Sequence, residues 1–151
     1  MSLFVFTWNP DKWEWPEDDF ANAVAWTAAG DIYQSTWSVG GRKYGIGAGD
    51  EVMLLRQRRD RGIVGHGTIT SELFDDPHWD GTSRVTRYVT VDWASILDPA
   101  DALPVETLKA KAPTVIWDRI QGSGVQIPDE AAREVEQVWR DHLLSVKGHA
   151  G

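Results

Sequence analysis

Short runs of β-branched and aromatic residues, each stopped by a glycine- or proline-bearing turn, are what most limits the shapes open to this chain. "LFVFTW" ends at "NP", "DIYQSTWSV" runs into "GG", and "DEVMLLRQ" follows a glycine-rich loop. The polar "RRDRG" joins that third run to a return run, "IVGHGTITS". "RVTRYVTVDWASI" alternates well, and "QGSGVQIP" is a last short run with a glycine on either side of Ser123. Such runs bounded by turn residues predict strands, and "RRDRG" predicts a hairpin. "FDDPHWD" reads as a surface turn. Helices are predicted at "PEDDFANAVAWTAAG", near "PVETLKAK", and over "DEAAREVEQVWRDHLLSV". In the last of these, Ala132, Val135, Val138, Trp139 and Leu143 fall at helical spacing. Five to six short strands, one early helix and late helices predict an α+β domain. A short curled sheet hides its edges by closing, so a small curled β-barrel flanked by helices is expected.

At 151 residues the chain is long enough for one domain with its own core. Residues 1–145 are read as that domain and residues 146–151 as a tail or the start of a linker. The absence of cysteine removes disulfides, thiolate zinc sites and cysteine nucleophiles together. No run nears the ~18 apolar residues of a membrane helix, and no signal-peptide layout opens the chain. A cytoplasmic protein with no membrane partner is expected. The net charge of −8 argues against a general nucleic-acid binder. That charge is uneven, however. Lys12 stands alone against Asp11, Glu14, Glu17, Asp18, Asp19 and Asp31, whereas residues 42–61 carry Arg42, Lys43, Arg56, Arg58, Arg59 and Arg61 against Asp50, Glu51 and Asp60. The basic stretch fits either a solvated loop or an edge that contacts phosphates.

Motifs for catalysis are missing. None of His66, His78, His142 and His149 pairs at a metal-ligand spacing. His66, in "VGHGT", reads as structural. The glycine-rich "GGRKYGIGAGD" lacks both the dinucleotide fingerprint and the P-loop pattern, and it precedes a strand. "FDDPHWD" gathers Asp75, Asp76, His78 and Asp80 without a completing ligand elsewhere. No metal, cofactor or catalytic residue is assigned.

The positive signal is aromatic. Of nine tryptophans, Trp139 and Trp93 read as core, and Trp26 as part of the helix face that packs on the sheet. Trp8, Trp37 and Trp79 fall where a predicted strand gives way to a turn, and binding groups concentrate there. A flat ligand gripped between indoles gains stacking of ~1–3 kcal/mol per base. Asn9, Ser35, Ser38 and Ser123 lie beside them and could read a ligand's edge.

The order of these motifs resembles the PUA-like superfamily, and within it the EVE domain and its relative, the YTH domain. The segments that carry the resemblance are "FVFTWNP", "TWSVGGRKY", "GAGDEVMLL", "RGIVGHGTI", "VTVDW", "LPVETLKAK" and "IQGSGVQIPDEAAREVEQVW". They span nearly the whole chain. Two departures stand out: "GGRKYGIG" replaces a loop that often carries an asparagine, and Asn9 replaces the usual serine-like residue. The resemblance implies a reader of modified bases rather than an enzyme. It binds double-stranded DNA with a modified base, 5-methylcytosine or 5-hydroxymethylcytosine, flipped into a tryptophan-walled pocket. The base-binding set it implies is Trp8, Asn9, Ser35, Trp37, Ser38, Trp79 and Ser123, with Trp13 and Trp15 packing or flanking. Trp37 as a wall implies that its loss costs recognition and spares the fold. The backbone-binding set is Arg42, Lys43, Arg56, Arg58, Arg59, Arg84 and Arg119. Readers of this kind accompany nucleases, often of the HNH type, in modification-dependent restriction systems. An RNA modified-base reader and a small-molecule or nucleotide sensor are the alternatives.

Overall fold

The computed structural model of the protein describes residues 2–40, 42–77 and 85–150. In chain order the elements are β1 (Leu3–Trp8), α1 (Glu17–Ala28), β2 (Tyr33–Ser38), β3 (Glu51–Arg56), β4 (Gly62–Ile69), β5 (Phe74–Pro77), β6 (Val85–Ile96), β7 (Leu103–Pro104), α2 (Val105–Lys111), β8 (Val125–Ile127) and α3 (Asp129–Ala150). Single 3-10 turns lie at Pro99–Asp101 and Trp117–Arg119. No helix among the described residues is long and apolar enough to cross a membrane.

Alternation decides which core each strand residue serves. In β1, Leu3 and Val5 enter one core while Phe4, Phe6 and Trp8 enter the other. β3 repeats the division, with Met53 and Leu55 on the first side and Val52 and Leu54 on the second. The first core is covered by α2 and α3 through Val105, Leu108, Val135 and Trp139. The second is enclosed by the sheet itself and by α1. Register shifts lie at Leu54/Leu55 in the β3–β4 pairing and at His66/Gly67 in the β4–β6 pairing. These bulges let Val64 and Ile69, and Trp93 and Ile96, reach the same core despite odd spacings.

The strands form one mixed sheet of eight, ordered β2-β6-β4-β3-β1-β8, with β5 also on β6 and β7 on β4. The β1–β3 pair is parallel and the other described pairs are antiparallel. Eight strands therefore stand where five to six were expected, and the ladder does not close into a barrel. The expected turn at Phe74–Pro77 is β5, which pairs along Val85–Tyr88, with Phe74 stacked on Tyr88 at 6.1 Å between centroids. Two acids and a proline hide that strand, because a neighbour provides its ladder. β7 is only Leu103–Pro104, too short to show alternation. α3 runs on to Ala150, through most of the residues expected as a tail.

Helix α1 is docked by Thr27, whose hydroxyl donates to Ala23 C=O at 2.8 Å and accepts from Ile96 N–H at 3.0 Å. Its packed stripe is Phe20, Ala23, Val24 and Thr27. Trp26 lies roughly a third of a turn from that stripe and is 47% exposed, so it reaches the sheet only at its edge strand β2. There its ring meets Tyr33, at 6.0 Å.

Candidate functional site

β1 outruns its neighbour β8. The β1–β8 pairing ends at Val5 and Val125, so Thr7 and Trp8 have a ladder partner on the β3 side alone. An unpaired strand edge must find other partners or water. Two side chains complete Thr7. Its N–H donates to Ser123 Oγ at 2.9 Å, and its C=O accepts from Trp37 Nε1–H at 3.2 Å. Trp37 belongs to β2, the opposite end of the strand order. The sheet therefore curls until its two ends nearly meet, and this indole bridges the seam. Gly124 makes the approach possible. Its φ is +90°, and a Cβ there would sit 2.5 Å from Val39 C=O, just beyond β2.

Where the two ends part, a cavity of about 310 Å³ opens. The end of β1 and the loop after it contribute Thr7, Trp8, Asn9, Lys12 and Trp13; β2 and its exit contribute Thr36, Trp37, Ser38 and Gly40. Gln57, Gln121 and Ser123 complete the lining. The rings of Trp13 and Trp37 stand at 88° with centroids 5.5 Å apart. Trp8 is only 6% exposed; its ring packs on Trp15 and Phe20, and its Nε1–H donates to Trp13 C=O at 3.2 Å. Trp8 thus gives the cavity little open surface and fixes the loop that carries Trp13. Trp37 also touches Trp15 and Trp93, at 5.5 and 5.9 Å. It is structural as well as lining, so its loss should lower stability even where the fold survives.

Two amides in the lining have their orientation set by neighbours. Asn9 Oδ1 accepts from Asp11 N–H at 3.0 Å, which leaves its NH2 to donate. Gln57 donates from Nε2 to Ile120 C=O at 2.9 Å, which leaves Oε1 to accept. Ser123 and Ser38 each accept a backbone N–H, from Thr7 and Gly40; the Ser123 hydroxyl also lies 3.3 Å from Thr7 Oγ1, and either of the two can donate. The cavity therefore offers a fixed amide acceptor from Gln57 and a fixed amide donor from Asn9, with hydroxyls that can do either, beside aromatic rings.

Of the expected base-binding set, the structure brings together Trp8, Asn9, Trp37, Ser38 and Ser123. Ser35 is elsewhere: its Oγ accepts from Trp93 Nε1–H at 2.9 Å and supports the core. Trp79, His78, Asp80 and Arg84 lie outside the described residues. Trp13 was expected at most to flank the pocket, yet it lines it; Trp15 packs behind. Lys12, Gln57 and Gln121 were missed. Lys12 did carry a signal, as the lone cation of its acidic stretch.

The expected backbone-binding cations divide. Arg56 is 7% exposed, with its guanidinium 5.0 Å from the Trp8 ring centre and 3.2 Å from Asp60, so it braces the pocket from behind. Arg58 pairs with Asp11 at 3.4 Å, tying the hairpin to the loop of Trp13. Arg42 donates to Gly124 C=O at 2.8 Å and Tyr44 C=O at 3.2 Å. Lys43, Arg59 and Arg119, like Lys12, are exposed and have no ion pair among the described residues.

Elsewhere, His66 lies beneath α3 with Nε2 3.3 Å from Glu51, and burial, the largest influence, pulls its pKa below the ordinary imidazole value. Burial and then Glu51 push Glu136 above the usual carboxyl range. These groups serve the face covered by α3. Among the described residues no group of three or more His, Asp or Glu could hold a metal ion.

No family model and no curated protein matches the sequence. Solved structures do match. Rpa0253 from Rhodopseudomonas palustris is similar with a TM-score of 0.59 and 18% identity, over 91% of this chain and 92% of its own. Atu2648 from Agrobacterium tumefaciens gives 0.54 and 17%, over 94% and 93%. A tyrosine-to-phenylalanine variant of ZmASCH from Zymomonas mobilis gives 0.50 and 10%, over 91% and 98%. At these identities the likeness is one of fold, compatible with the PUA-like type to which the ASCH domain belongs. The narrower EVE and YTH resemblance rests on the sequence motifs.

Proposed function

We propose that this protein is a modified-base reader of the EVE type, which binds DNA by taking a flipped, modified cytosine into the cavity at the sheet seam. The observation that carries the reading is that cavity, with two near-perpendicular indoles and two amides of fixed orientation. Its volume of about 310 Å³ lies at the small end of ligand sites, which suits one base. A cytosine edge has an amino donor next to ring acceptors. Gln57 Oε1 can take the amino group while the Asn9 amide and a serine hydroxyl donate to the acceptors. A 5-methyl group gains apolar contact with an indole, so discrimination per methyl is modest, ~1 kcal/mol.

In this reading the protein is a binding module with no cofactor, and any cleavage belongs to a separate domain or partner such as an HNH nuclease. The exposed cations Lys12, Lys43, Arg59 and Arg119 hold the backbone, and Arg42, Arg56 and Arg58 brace the site. The net charge of −8 is the observation that favours the alternative, a nucleotide sensor using the same cavity. Salt separates the two. Duplex affinity should fall steeply with salt, whereas a sensor should barely respond.

The test is a binding panel of DNA and RNA oligonucleotides carrying unmodified, methylated and hydroxymethylated bases. Preference for methylated or hydroxymethylated DNA supports the reading; equal binding of all members sinks it. Lys12→Ala with Arg59→Ala should weaken modified and unmodified duplexes alike. The log–log salt slope should become shallower by about one unit per lost phosphate contact. Arg58→Ala should leave the slope nearly unchanged, because Arg58 already faces Asp11. A slope that ignores Lys12 and Arg59 puts the DNA on another face.

A further inference from the structure

An open groove of about 450 Å³ adjoins the cavity, lined by Arg42, Lys43, Tyr44, Ser123, Gly124 and Val125. Ser123 belongs to both concavities. Tyr44 is 79% exposed, the largest exposure among the large hydrophobic residues described. An exposed tyrosine by itself is ordinary; this one is mounted on an anchored backbone. The Arg42 guanidinium sits 4.8 Å from the ring centre of Phe4, a fully buried core residue. From there its Nε donates to Gly124 C=O and its Nη1 to Tyr44 C=O. One side chain thus ties the Tyr44 backbone both to the core and to the turn that carries Ser123. Gly45 follows at φ +80°, and a Cβ there would lie 3.2 Å from Arg42 Nη1, so the chain turns away directly after Tyr44 without disturbing the tie. The ring is left facing solvent, beside Lys43, a cation with no ion pair among the described residues.

Resting on the base-reader reading, we infer that this groove is a second nucleotide subsite, in which Tyr44 stacks on the base next to the flipped one and Lys43 takes the phosphate between them. An aromatic face beside a cation is the chemistry that holds single-stranded nucleic acid with little sequence preference. A protein partner would need a larger apolar surround than one tyrosine and the partly exposed Val125. The shared Ser123 sets the two positions side by side, as neighbouring nucleotides require. The cavity chooses the base, and the groove accepts whatever base stands next to it.

The experiment compares 5-methyldeoxycytidine monophosphate, which fills the cavity alone, with a single-stranded oligonucleotide carrying one 5-methylcytosine. Wild type, Tyr44→Ala and Tyr44→Phe are measured against both. Tyr44→Ala should leave mononucleotide affinity unchanged and weaken the oligonucleotide by roughly tenfold or more. Tyr44→Phe should bind as wild type does. An abasic site beside the methylated base should weaken the wild type by the same factor and leave Tyr44→Ala nothing further to lose. The inference is overturned if Tyr44→Ala binds the oligonucleotide normally. It is also overturned if its deficit persists beside the abasic site, since the ring would then be acting without any contact to the neighbouring base. Failure of wild type to bind either ligand would overturn the base-reader reading itself, and the subsite with it. An unchanged melting temperature for both variants confirms that the comparison is between folded proteins.

Discussion

Trp37→Ala is expected to abolish the preference for a modified base and to lower stability by about 3 kcal/mol, the low end for a tryptophan truncation because the ring is only partly buried. Both effects come from one side chain. Its ring lines the cavity and stands nearly perpendicular to those of Trp13 and Trp93, and its N–H is one of two side-chain contacts that complete Thr7. With typical domain stabilities of ~5–15 kcal/mol, the variant should still fold. Trp37→Phe separates the roles. It keeps an aromatic face and removes the N–H, leaving Thr7 C=O short of a partner at a cost of about 1–2 kcal/mol. Denaturant melts and base-panel binding on the same samples check both. If Trp37→Ala remains folded and still prefers the modified base, this indole is no wall of the site.

The second large effect concerns the cost of extracting the base. A base inside a duplex cannot enter a cavity walled by Trp13 and Trp37, so binding must supply the energy of unstacking and unpairing, a few kcal/mol. A mismatch opposite the modified base removes part of that cost beforehand. Affinity should therefore rise by roughly tenfold or more when the modified base is mispaired. The gain should be lost when the mispair is moved several base pairs away. Titration of matched, mispaired and displaced duplexes decides the matter. Equal affinity for all three would mean that the protein reads the groove of an intact helix.

The strands with full alternation were legible in the sequence because their two faces serve two apolar cores. β1 and β3 show this directly, odd residues to one side and even to the other. β5 was hidden because Asp75, Asp76 and Pro77 carry turn signals, and β6 supplies the pairing that overrides them. The seam could not be read at all. Nothing local to Thr7 says that β8 stops at Val125, or that an indole thirty residues further on completes its carbonyl. For the same reason Trp8 and Trp13 exchanged prominence. Both stand near a strand end, but only the Trp8 bond to Trp13 C=O shows which ring is held and which is presented. Arg56 looked like its neighbours in a basic run, and its burial against Trp8 depends on a β1 strand far away in sequence. Lys12 was the reverse, a residue whose isolation among acids was visible and went unused.

The tryptophans around the cavity have an optical consequence. Trp8 and Trp13 each lie within 5.4 Å of Trp15, and Trp15 and Trp37 are 5.5 Å apart, with Trp93 5.9 Å beyond. At such spacings, excitation absorbed by any one of these five indoles migrates among them before it is emitted. A base stacked on the outermost ring becomes a common sink for the group. Occupancy of the site should therefore dim the emission of five tryptophans together, far more than quenching of a single tryptophan among nine would allow. The emission spectrum is then a label-free gauge of the cavity, with Trp26, Trp117 and Trp139, outside this run of contacts, left among the residual emitters.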